Sequence, residues 1–136
     1  MCLSIKITLP NEKAISQDTL QSWQLPDLKV KFHLSKALFS SRGHVLYIAE
    51  PKGGCACSLM SNHADPEKAL WDLEPGFLPD IAQLLKLLRQ NLGCGFAFQA
   101  LWVNERPLEQ KRVSIQELAQ LVEQGQISTK NGYLVN

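Results

Sequence analysis

Leu3, Ile5, Ile7 and Leu9 alternate with Ser4, Lys6 and Thr8, the period-two pattern of a strand with one face in a core. Pro10 ends the run. Leu28, Val30, Phe32 and Leu34 alternate with Lys29, Lys31 and His33 after the turn-forming pair Pro26-Asp27, which predicts a second half-buried strand. Between them, Glu12 to Gln24 has a weak helical spacing of Ile15, Leu20 and Trp23, diluted by Thr19 and two serines; β-branched and hydroxyl side chains are poor helix formers. Ser40-Ser41-Arg42-Gly43 reads as a turn. His44 to Ala49 is apolar on both alternating sets and suits a central strand covered on both faces.

In the second half the period changes. Asp65-Pro66-Glu67 has the chemistry of a helix start, since Asp caps free amides and Pro is tolerated in the first turn; that helix is expected to carry Leu70 and Trp71 inward. Pro75-Gly76 breaks the pattern, and a helix from about Asp80 to Asn91 sets Ile81, Leu84, Leu85 and Leu88 on one face. Gly93 suits a left-handed cap, and Phe96 to Val103 is aromatic and β-branched enough for a central strand with Trp102 in the core. Asn104 to Arg112 reads as a charged loop. Ser114-Ile115-Gln116-Glu117 matches a capping box, followed by the apolar stripe of Leu118, Leu121 and Val122, with Gly125 as the stop. Asn131-Gly132, between Ile127-Ser128-Thr129 and Tyr133-Leu134-Val135, carries the signal of a type I′ turn and predicts a closing hairpin.

This order predicts an α+β fold, a mainly antiparallel sheet with helices packed on one face, and more specifically a ferredoxin-like core with a C-terminal helix and hairpin. At 136 residues, one globular domain spanning residues 1–136 is expected. Fourteen basic and thirteen acidic side chains leave a formal charge of +1, too little field to attract nucleic acid or an anionic membrane. No apolar run approaches the ~20 residues of a membrane span, and Met1 to Ile7 lacks the basic and apolar regions of a secretion signal. The expected location is cytoplasmic, where thiols stay reduced.

The chemistry concentrates in Pro51-Lys52-Gly53-Gly54-Cys55-Ala56-Cys57. Two thiols one residue apart can clasp a soft metal, zinc or copper, or exchange electrons with a disulfide. Cys55 and Cys57 supply two ligands where a structural zinc site needs four; His63 and the distant Cys94 are the candidates to complete it. If the strands ending near Glu50 and starting at Gly95 are parallel, Cys94 falls at the opposite end of the sheet. No helix start follows Cys57 to activate a thiolate, and packing as small apolar groups at a strand end is the commoner fate of such cysteines. Lys52, Gly53 and Gly54 can form an anion-binding nest, although Gly-Gly more often only permits positive φ.

A nucleophilic site needs a base and an orienting group. His33 and His44 fall on strands, while His63 with Asp65 has no proven partner geometry, and Asp72 and Glu74 read as a solvated pair. The residues complete no catalytic set. Trp71 and Phe77 flank helix breakers and would anchor a protein partner if exposed; plugging gaps between helices and sheet is the alternative. The expected function is a small non-catalytic binding or protein-interaction module with an unknown protein partner. A metal-binding or thiol-redox role at Cys55 and Cys57 is the alternative.

Overall fold

The computed structural model describes residues 3–9, 31–35, 45–49, 60, 69–102 and 105–136. The predicted helix at 12–24, the helix start at Asp65 and the turn at 40–43 lie outside them. Six strands form one sheet: β1 (Leu3–Thr8), β2 (Lys31–Ser35), β3 (Val45–Ala49), β4 (Phe96–Trp102), β5 (Glu109–Val113) and β6 (Asn131–Val135), in the order β2-β3-β1-β4-β6-β5. Every pairing is antiparallel except β5 with β6. The fold is therefore α+β with a mixed, mainly antiparallel sheet. Because β3 and β4 are each antiparallel to β1, they run parallel to one another with β1 between them.

Alternation in β1 fixes which face is buried. Leu3, Ile5 and Ile7 are almost wholly excluded from solvent while Ser4, Lys6 and Thr8 are half-buried. Leu3 pairs with Trp102, Ile5 with Ala100 and Ile7 with Phe98, and Phe98 in turn with Tyr133, so paired residues continue one apolar surface across three strands. A one-residue slip would carry every one of these side chains to the other face.

Among the described residues, two helices cover this surface. Helix α1 (Leu78–Leu92) buries Leu78, Ile81, Ala82, Leu84, Leu85, Leu88 and Leu92, and α2 (Ile115–Glu123) buries Leu118, Ala119 and Val122. Both stripes join the sheet residues in one core cluster. Burial of a Leu or Ile contributes roughly 1.5–3 kcal/mol each, so tertiary packing rather than helix propensity holds α1 in place. Proline stands in the first turn of α1 and Gly93 closes it at φ 66°. At α2, the Ser114 hydroxyl accepts from the Glu117 amide at 3.1 Å. Its C-terminus is a Schellman turn in which Gly125 (φ 67°) donates to the Val122 carbonyl and Gln126 to that of Leu121.

Three expectations are corrected. The charged stretch ending at Arg112 is no loop over its second half, because Glu109–Val113 is an edge strand parallel to β6; Glu109, Gln110, Lys111 and Arg112 are all exposed, so no side-chain period marks it. The closing hairpin is absent. Asn131 and Gly132 lie inside β6, which pairs with β4 and β5, and Gly132 is not among the positive-φ glycines that a type I′ turn requires. Finally, residues 69–73 are extended rather than helical. Trp71 donates to the Ile127 carbonyl and Thr129 to that of Ala69, and burial falls on Trp71 and Leu73 with Leu70 outside, a period of two.

Candidate functional site

Cys94 sits between the Gly93 cap and β4, half-buried against the core, with a free thiol. The parallel course of β3 and β4 places it at the sheet end opposite the exit of β3, the end from which the chain runs toward Cys55 and Cys57. Those two cysteines, together with His63, Lys52, Gly53 and Gly54, lie outside the described residues. After them the chain is next described at Met60, half-buried against the core and bridged to Leu73. Among the described residues no group of three His, Cys, Asp or Glu is arranged to hold a metal ion.

The two aromatic candidates are not surface anchors in equal degree. Trp71 is 4% exposed, with its ring edge-on to Phe98 at 6.1 Å and an interplanar angle of 87°. It is a core residue. Phe77, in the 3₁₀ turn Pro75–Phe77, is half-buried and packs on the same cluster. The indole nitrogens of Trp71 and of Trp102, also 4% exposed, have no hydrogen-bond partner among the described residues, so packing holds both rings.

Apolar exposure lies elsewhere. Among the described residues the exposed large hydrophobic side chains are Leu108 at 82% and Leu70 at 39%. Both are tied to one short turn: Leu70 bridges Ser128, and the Leu108 amide donates to the Lys130 carbonyl at 2.7 Å. That turn is firmly held. The Ser128 amide donates to the Tyr133 hydroxyl at 2.9 Å, the Lys130 amide to the Ser128 hydroxyl at 3.1 Å, and the Lys130 ammonium meets Glu105 at 3.3 Å. From Leu108 the chain enters β5, which among the described strands has a partner on one side only.

A parallel ladder directs both backbone groups of alternate residues to the same neighbour. The Asn136 amide donates to the Val113 carbonyl, so Val113, Lys111 and Glu109 turn their backbone groups toward β6, and the N–H and C=O of Gln110 and Arg112 face outward. This open edge, with Leu108 at its start, was hidden in sequence by its charge. The only trace was a lone leucine between Pro107 and Glu109, followed by five residues free of Gly and Pro.

A shallow groove of about 410 Å³ lies between α1 and the start of α2, lined by Lys86, Arg89, Gln90, Ile115 and Gln116. Its cations are engaged: Arg89 Nε donates to the Asn136 carbonyl at 2.8 Å, and Lys86 lies 3.8 Å from Glu123. No described helix is long and apolar enough to cross a membrane. Comparison of the chain with protein-family models, with curated proteins and with solved structures found no match, and the functional reading rests on the residues alone.

Proposed function

We propose that this chain is a small non-catalytic protein-interaction module that docks its partner along the outer edge of β5. The observation that carries this reading is the convergence of Leu70 and Leu108 on the Ser128–Lys130 turn, beside a strand edge that no other described strand pairs. An added strand gains main-chain hydrogen bonds from an open edge, and exposed apolar side chains beside it supply the desolvation energy. Leucine at 82% exposure has little structural reason to be there.

The finer architecture belongs to the same proposal. The first four strands, in the order β2-β3-β1-β4 with α1 between β3 and β4, support a ferredoxin-like core to which β5, α2 and β6 are appended. A cytoplasmic location is proposed with it, supported by the free Cys94 thiol.

Site-specific photocrosslinking in the source cells tests the docking surface. A benzophenone amino acid at Leu108 is expected to give a discrete protein adduct, while the same group at Gln83, exposed on α1, gives none. Equal labelling at both positions, or none at Leu108, would overturn the proposal.

A further inference from the structure

We infer that the strand added at this edge is β5 of a second copy of the chain, antiparallel and centred on Gln110; this rests on the reading of β5 as the docking edge. The geometry leaves few choices. Two copies paired antiparallel about a twofold axis keep their side chains on the same sheet faces, so a residue at the centre must lie opposite itself. Within the exposed part of β5, the centre falls at Gln110 or at Lys111.

Charge separates the two. Centred on Gln110, Glu109 of each copy lies opposite Lys111 of the other, and Leu108 lies opposite Arg112, whose aliphatic stem can cover it. Gln110 and Arg112 are the residues whose backbone groups face outward, so the two Gln110 residues exchange the new hydrogen bonds at the axis, and Glu109 and Lys111 meet as the closer, non-hydrogen-bonded pairs. Centred on Lys111, the two lysines would meet at the axis and Leu108 would lie beyond the paired segment. Like charges directly opposite one another oppose pairing.

The side chain at the proposed axis already leans away from it. A Cβ built on Gly132 would fall against the amide of Gln110, so Gln110 reaches back over its own β6 and leaves the centre uncrowded. The four side chains from Glu109 to Arg112 are exposed, so no other described part of the chain occupies the edge. Joined in this way, the six strands of each copy make one continuous sheet.

The test uses the full reduced chain. Sedimentation velocity is expected to show a concentration-dependent dimer. Lys111→Glu, which sets glutamate against Glu109 in both pairs, weakens dimerisation roughly tenfold or more; the double exchange Glu109→Lys with Lys111→Glu restores it. Under mild oxidation, Gln110→Cys gives a dimer linked through residue 110, whereas Lys111→Cys, opposite Glu109, does not link through 111. Circular dichroism confirms that the variants are folded. A chain that remains monomeric at the highest attainable concentration, or crosslinking at 111 in preference to 110, would overturn the inference. If the chain is monomeric while the Leu108 crosslinker still captures a different protein, the docking edge stands and self-pairing falls; absence of both removes both.

Discussion

Replacing Phe98 with alanine removes the ring at the centre of the buried sheet face. Phe98 is fully buried, pairs with Ile7 on one side and Tyr133 on the other, and contacts the rings of Trp71 at 6.1 Å and Tyr133 at 6.4 Å. Loss of a buried Phe side chain costs about 3–5 kcal/mol from transfer and cavity terms, within which each aromatic contact accounts for about 0.5–1.5 kcal/mol. Set against a total stability of about 5–15 kcal/mol for a domain, this is about a fifth or more of what holds the fold. In urea, with a slope of about 1–3 kcal/mol/M, the midpoint should fall by ~1 M or more. Far-UV circular dichroism is the appropriate probe, since tryptophan emission would report the altered contact with Trp71 as well as unfolding. Gln99→Ala, one residue along on the half-buried face, is the control and should change stability by less than about 0.5 kcal/mol. A Phe98→Ala loss below about 1 kcal/mol, or a larger loss at Gln99, would mean that β4 presents the other face to the core and that its register with β1 and β6 is wrong.

Gly95→Ala places a methyl group on the Val135 carbonyl, and the forced shift of backbone should cost about 1–3 kcal/mol by the same urea titration. Ser114→Ala deletes the acceptor for the Glu117 amide and should cost about 1 kcal/mol; no change would show that the first turn of α2 is not capped as described. Native mass spectrometry of the reduced protein is expected to find no stoichiometric zinc or copper, and no bound mass sensitive to Cys55→Ser. One metal ion lost in that variant would move the function to the Cys55/Cys57 loop.

Elements whose side chains partition between core and solvent were legible in the sequence. The alternation of Leu3, Ile5 and Ile7 became β1, the stripe of Ile81, Leu84, Leu85 and Leu88 became α1, and Ser114 and Gly125 bound α2 as their backbone chemistry requires. Elements formed by backbone pairing were not. β5 exposes Glu109 to Arg112 in succession and exists because β6 offers it hydrogen bonds, a non-local partner that no window of sequence contains. Asn131-Gly132 carries a strong local turn signal, but Gly132 is instead the flat spot over which Gln110 lies. Trp71 and Leu73 are two apart and both buried, a strand period too short to read beside the helix-start residues upstream. The docking edge inherits this invisibility, since its defining property is which amides lack a partner.

Residue-resolved hydrogen exchange along β5, followed by NMR on the ¹⁵N-labelled chain, tests that property most directly. In dilute solution the outward amides of Gln110 and Arg112 should exchange rapidly while those of Glu109 and Lys111, turned toward β6, exchange slowly. In concentrated protein or in source-cell extract, Gln110 and Arg112 should become protected as a strand docks. Rapid exchange of Gln110 and Arg112 under every condition would contradict β5 as the interaction edge.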